Sequence, residues 1–229
     1  MDCRLMAISV KRTSALTQGG VKILAYGQAG AGKTTLIASL PSPITLSAEG
    51  GLLALQGADL PFIEIGSMAD LHEAYSWLVS SEEAKAFASI AIDSISEIAE
   101  VCLIAEKRIA KDPRQAYGAM IDAMSEVIRA FRDLPRHVYV SAKLDKSADE
   151  LGKVAYAPSM PGAKLGQALP YFFDEVLALR VERSEAGEPV RGLQTQGDGI
   201  WTAKDRSGRL DAWEPADLGA VIRKIGGAK

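Results

Sequence analysis

At 229 residues, with a formal net charge of −3 and 48% hydrophobic residues, the chain is long enough to bury a sizeable core, and its mild acidity excludes coating nucleic acid through bulk charge while leaving room for a local basic groove. Two cysteines (Cys3, Cys102) and two histidines (His72, His137) make neither a disulfide framework nor a zinc site of recognised spacing, and they point to a reducing cytoplasm. No apolar run approaches the ~20 residues that cross a bilayer, and residues 1–18 carry Arg4, Lys11 and Arg12 without an apolar stretch and cleavage site, so no signal peptide is expected.

Short β-branched or apolar runs alternate with helical patterns along the chain. Val21 to Tyr26 is the first predicted strand, followed by a glycine-rich turn and a short helix over Thr34 to Leu40, which Pro41 ends. Ile44 to Ala48 and Phe62 to Ile65 are the second and third strands. Ser67, three residues before Asp70, resembles a capping box with Asp in place of Glu. It opens a helix with Leu71, Ala74, Tyr75 and Leu78 on one face. Ser89 to Asp93 is apolar on both faces and so predicts a central strand.

Ile95, Ile98, Cys102, Ala105 and Ile109 then recur at helical steps, and a basic, proline-containing link leads to a second helix from about Tyr117 to Leu134. His137 to Ser141 is the fifth strand. Leu144 to Gly162 is polar and without periodicity. Phe172 to Val181 is the sixth strand, residues 190–196 and 200–204 read as a hairpin around Gly197-Asp198-Gly199, and a helix from about Pro215 to Ile225 closes the chain. This alternation predicts an α/β fold: a mostly parallel twisted sheet with helices on both faces and an antiparallel hairpin at one edge. One domain over residues 21–229 is the economical division, with residues 1–20 as a segment that packs on a neighbouring subunit.

Gly27-Gln28-Ala29-Gly30-Ala31-Gly32-Lys33-Thr34 matches G-x-x-x-x-G-K-[ST] in full, between a strand and a helix, and Thr35 follows. Glycines let backbone amides turn toward phosphate oxygens, and a helix N-terminus adds its positive dipole end. Lys33 would meet the β- and γ-phosphates of ATP, and the Thr34 hydroxyl would ligate Mg²⁺. Asp93, at the carboxyl end of the central strand, would hold the same metal directly or through water, or else cap the helix that follows. Glu49, before Gly50-Gly51 at the end of the second strand, would orient the attacking water, or else is a solvated turn residue.

The order of these parts resembles the RecA-like P-loop ATPases: the glycine-rich loop, Ser47-Ala48-Glu49-Gly50, Phe62 to Ile65, Ile92-Asp93-Ser94 and Val140-Ser141-Ala142-Lys143. Within that group, Glu49-Gly-Gly-Leu, Met160-Pro-Gly and Ala203-Lys-Asp-Arg206 are similar to phage-encoded RecA-like single-strand annealing recombinases. The resemblance implies a Mg²⁺-dependent, DNA-stimulated ATPase that assembles head-to-tail, as filament or ring, on single-stranded DNA in a bacterial cytoplasm. It implies Glu49 as catalytic base and Lys143 at a sensor position that carries Gln in RecA itself, which keeps a donor and loses an acceptor. It places Lys204 and Arg206 where cations reach a neighbour's ATP; a solvated hairpin edge is the alternative.

It also assigns two DNA-contacting segments. Lys107, Arg108, Lys111 and Arg114 mark the first, and Lys146, Lys153 and Tyr156 the second, with Tyr117 and Tyr156 available to stack on bases. The second also carries Asp145, Asp149 and Glu150, so charge does not argue for it. A charged helix end and a loop that orders on a neighbour are the competing explanations. Two other functions stay open: a ring ATPase acting on protein partners without DNA, and a P-loop small-molecule kinase, against which the absence of Arg between Leu144 and Gly162 counts.

Overall fold

The computed structural model describes residues 19–227 apart from 185. Cys3, the N-terminal cations and the expected inter-subunit segment fall mostly outside these residues. Ten strands form one sheet: β1 (Lys22–Gly27), β2 (Pro43–Ser47), β3 (Phe62–Glu64), β4 (Ser89–Asp93), β5 (His137–Ala148), β6 (Val154–Ser159), β7 (Glu175–Arg183), β8 (Pro189–Gln194), β9 (Lys204–Asp205) and β10 (Trp213–Pro215). The order is β10-β8-β7-β1-β5-β4-β2-β3, with β6 added to β5 and β9 to β7. Strands β7, β1, β5, β4, β2 and β3 run parallel; β8, β10, β6 and β9 pair antiparallel.

The expected α/β class follows from alternate side chains of buried strands serving two cores. Ile90 and Ile92 of β4 join Leu24, Tyr26, Val138 and Val140 under α1 (Met68–Ser80), α2 (Ile95–Ile109) and α3 (Pro113–Arg132). Ala91, Ile23 and Tyr139 face the other way, toward Leu36, Ile37 and the apolar stripe of α5 (Leu218–Gly226). Burial of these Leu, Ile and Val side chains supplies about 1.5–3 kcal/mol each before the entropic cost of ordering them. Among the described residues no helix is long and apolar enough to cross a membrane.

Several elements differ from the sequence expectation. The segment after the glycine-rich loop is a 3₁₀ helix of five residues, Thr35–Ser39, so few peptide dipoles align behind the loop and its amides carry the anion chemistry. Around α1, the Ser67 hydroxyl accepts from the Asp70 amide at 3.2 Å while Asp70 accepts from the Gly66 amide at 2.9 Å. This is a reciprocal cap set one residue early because Asp is shorter than Glu. In α2 the buried stripe passes from Cys102 to Leu103 and leaves Ala105 and Ile109 exposed. Helix α3 starts at Pro113, four residues before the expected Tyr117. Asp112 is its N-cap, accepting from the Arg114 amide at 2.8 Å, and Pro113 takes the first helical position, where its missing N–H costs nothing.

The stretch Leu144 to Gly162 is not an irregular loop. Strand β5 continues to Ala148 and turns at residues 149–152 into β6, pairing Lys143↔Ser159 through Ala148↔Val154. The sixth strand begins at Glu175 rather than Phe172. Residues 190–196 and 200–204 do not pair with each other: β8 pairs with β7 and β10, while Lys204–Asp205 pairs with β7 and Trp201 bridges to Tyr156. Asp198 accepts from the Ile200 and Trp201 amides at 2.8 and 2.7 Å, a side-chain turn that sends the chain toward β6. There Trp201 stacks on Tyr156 at 4.2 Å, and the Arg180 guanidinium lies between Trp201 and Trp213 at 4.9 and 4.7 Å from their ring centroids. Helix α5 begins at Leu218, since Pro215 belongs to β10.

Candidate functional site

The carboxyl ends of β1, β2, β4 and β5 meet at one edge of the sheet, where open α/β sheets place their ligands. From β1 the chain enters Gly27 to Thr34. Gly30 and Gly32 take φ of 77° and 103°, values that residues with a Cβ rarely adopt. Among the described residues, the amides of Gly30, Gly32, Lys33 and Thr34 donate to no protein acceptor. Successive amides left without partners around a concave turn form an anion nest. The Lys33 ammonium spans the nest, donating to the carbonyls of Gly27 and Gln28 at 2.9 and 3.0 Å. Burial lowers its pKa, and the Glu49 and Asp93 carboxylates partly offset that.

Asp93 ends β4 and is 3% exposed. One carboxylate oxygen accepts from the Thr34 hydroxyl at 2.6 Å, the other from Ser141 of β5. The adjoining helix is capped by Ser94 rather than Asp93, since the Ser94 hydroxyl accepts from the Glu97 amide at 3.3 Å. Asp93 is thereby free for the loop. Ser94 also donates to the carboxylate of Glu49, which sits exposed just past β2. The structure therefore brings together the loop, Lys33, Thr34, Asp93 and Glu49. A hydroxyl and a carboxylate 2.6 Å apart beside unpaired amides form the hard oxygen set and anion nest that fit Mg²⁺ and a polyphosphate. Thr35 and Gln28 lie exposed at the two ends of the loop.

Four contributors come from parts of the chain distant from the motif. Tyr139, fully buried in β5, donates to the Lys33 carbonyl at 2.9 Å, and burial holds its phenol protonated. Ser141, two residues on and on the same face of the strand, positions Asp93. Ser94 positions Glu49. Arg191 of β8 donates from Nε to the Ala31 carbonyl at 3.0 Å. Ser94 and Ser141 fall within the segments Ile92-Asp93-Ser94 and Val140-Ser141-Ala142-Lys143 that carry the resemblance, and the i, i+2 spacing of Tyr139 and Ser141 in an otherwise apolar strand was the further sequence signal.

Other expected residues lie apart from this cluster. The Lys143 ammonium is held on α2 by Glu97 and Glu100 at 2.7 and 3.0 Å; burial pulls its pKa down, but the hydrogen bonds and charges of the two carboxylates together raise it above the ordinary value. Lys204 donates to the carbonyls of Pro170 and Phe173, both at 2.6 Å, and Arg206 pairs with Asp174 at 2.9 Å. Both cations thus sit on the segment before β7. Lys107 and Arg108 end α2, while Lys111 and Arg114 flank the start of α3, all exposed. The first segment expected to contact DNA is therefore a helix corner, with the Lys107 ammonium 5.3 Å from the centre of the Tyr117 ring. Lys146 and Lys153 are exposed on the β5–β6 hairpin, whereas Tyr156 has one face covered by Trp201.

The family described as "AAA domain" matches residues 19–207. That span takes in the glycine-rich loop, Glu49, Asp93, the hairpin and the Lys204–Arg206 segment. No curated protein matches the chain.

Proposed function

The chain belongs to the AAA domain family and is an AAA-like P-loop ATPase domain, and on that premise we propose that it is a recombination ATPase of the RecA-like kind that assembles on single-stranded DNA and promotes annealing or strand exchange. The observation that carries this reading is the course of β5. The strand passes Asp93 at Ser141 and runs on without a break into the hairpin that bears Lys146. A change at the phosphate site has a direct mechanical path to a protruding, lysine-bearing ribbon. The basic corner of Lys107, Arg108, Lys111 and Arg114 supports the same reading, because the segment after the hairpin packs against it: a Cβ on Gly162 would sit 3.6 Å from the Tyr117 ring.

In the catalytic step, Lys33 and the loop amides bind the phosphates, and Thr34 with Asp93 would hold Mg²⁺. When bound, that ion would neutralise negative charge on the phosphates. Glu49, oriented by Ser94, takes the proton of the attacking water. The test is fluorescence polarisation of a labelled single-stranded oligonucleotide with ATP and Mg²⁺ at 50 mM salt. ATP-dependent binding is the expected result, and no binding ends the DNA reading.

The hairpin tip favours a second reading. Leu151 is 94% exposed there, beside Asp149 and Glu150, a surface suited to protein more than to phosphate. In that reading the domain is a ring ATPase acting on protein partners. Sizing with ATP and without DNA separates the two: a closed ring of fixed mass favours the second.

A further inference from the structure

Arg191 reaches the nucleotide loop from outside the motif, and its placement extends the nucleotide-site reading above, on which it rests. It lies on β8 opposite Val181 of β7. Its Nε donates to the Ala31 carbonyl at 3.0 Å. Its side chain packs on Gly32 so closely that a Cβ there would stand 3.3 Å from Nε and 3.4 Å from Cδ. Glycine is favoured at 32 by its φ of 103°, and a Cβ there would also crowd the arginine. Among the described residues the two terminal nitrogens of Arg191 have no protein partner, so the contact with the loop is its one hydrogen bond there.

The Ala31–Gly32 peptide is trans, as are all described peptides except Asp93–Ser94. In a trans peptide the carbonyl and the next amide hydrogen point to opposite sides. A guanidinium that holds the Ala31 carbonyl on the outer side of the loop therefore turns the Gly32 N–H to the inner side, where a P-loop receives phosphate. Charge assistance makes this a stronger tether than a neutral donor. We propose that Arg191 is a positioning residue for the nucleotide: it fixes the Ala31–Gly32 amide so that Gly32 offers its N–H to the terminal phosphates of a nucleoside di- or triphosphate.

Calorimetric titration of the full chain with ADP tests this, using R191A, R191K and the unaltered protein, with the melting midpoint of each measured without nucleotide. R191A should weaken ADP binding about tenfold, the worth of one charge-assisted hydrogen bond. R191K, which keeps a charged donor, should recover to within about threefold. All three should melt alike without nucleotide, since Arg191 is exposed. An R191A affinity within twofold of the unaltered chain overturns the assignment. So does a melting midpoint that falls in step with affinity in both variants, which marks a folding role. If the unaltered chain takes up no ADP, the nucleotide site itself fails and the inference goes with it.

Discussion

Asp93 commits one carboxylate oxygen to Thr34 and the other to Ser141, so its orientation is set before any ligand arrives. Lys33 is held just as locally, on the loop's own carbonyls, and its ammonium can exchange those bonds for phosphate oxygens at little cost in reorganisation. Lys33→Ala should therefore remove ADP and ATP binding measurable by calorimetry while leaving the unliganded melting midpoint nearly unchanged. Glu49 differs because its proposed role is confined to the water. Glu49→Gln keeps size and the Ser94 contact but loses the base, so turnover should fall by about 10²-fold or more with ATP affinity nearly kept. A phosphate-release assay showing equal loss of affinity and turnover would make Glu49 a binding residue instead. Lys33, Thr34 and Asp93 were legible because one contiguous motif and one strand end carry them. Tyr139 and Arg191 were not, nor was the contact of Ser94 with Glu49, because these depend on which strand lies beside which, and a single sequence does not show that.

Among the elements, β7 and β9 carry the clearest titration. Glu175 faces Asp205 across this pair. It is 1% exposed, and one of its carboxylate oxygens meets no donor among the described residues. The neighbouring group is itself a carboxylate, so that oxygen is satisfied only when it carries the proton. Burial, then Asp205, push the Glu175 pKa up to about 8. Asp174 adds repulsion, while Arg206 pairs with Asp174 and Lys204 turns to backbone carbonyls. Because the folded value lies above the unfolded one, the native state binds the extra proton between pH 4.5 and about 8, so stability falls as pH rises through that window. Lys22 acts oppositely above it. Burial lowers its pKa from 10.5 to about 8, so stability recovers as pH rises from about 8 toward 10.5. Glu175→Gln keeps a donor to Asp205 at every pH. Its melting midpoint should match the unaltered chain near pH 5 and exceed it at pH 8, by roughly 2–4 °C per kcal/mol of relieved carboxylate burial. Parallel midpoints from pH 5 to 9 would show that Glu175 is ionised throughout.

At the scale of the whole molecule, the parallel order was readable from alternating apolar runs and an antiparallel edge was expected, while the segments that pair at that edge and the β5–β6 hairpin were not readable. The β5–β6 hairpin projects from the sheet with mostly exposed residues from Asp145 to Ala155, so no buried face imposes a period of two on its sequence. The same exposure makes it available to a partner, together with the corner of α2 and α3. If the corner binds single-stranded DNA, its four cations each neutralise a phosphate, and counterion release fixes the salt dependence. Four contacts on a single strand give a slope of log affinity against log salt near −0.7 per phosphate, about −3 in total. Replacing Lys107, Arg108, Lys111 and Arg114 together by Ala should flatten that slope by about the same amount and weaken binding uniformly across sequences. Replacing Lys146 and Lys153 should remove a further ~1.4 if the hairpin also tracks the strand. These cations are exposed, and those of the corner crowd one another, so neither set should lower the melting midpoint. A slope unchanged by the fourfold variant would move the DNA surface off the helix corner, and a slope lost only with the lysines at 146 and 153 would place it on the hairpin, where β5 connects it to Ser141 and Asp93.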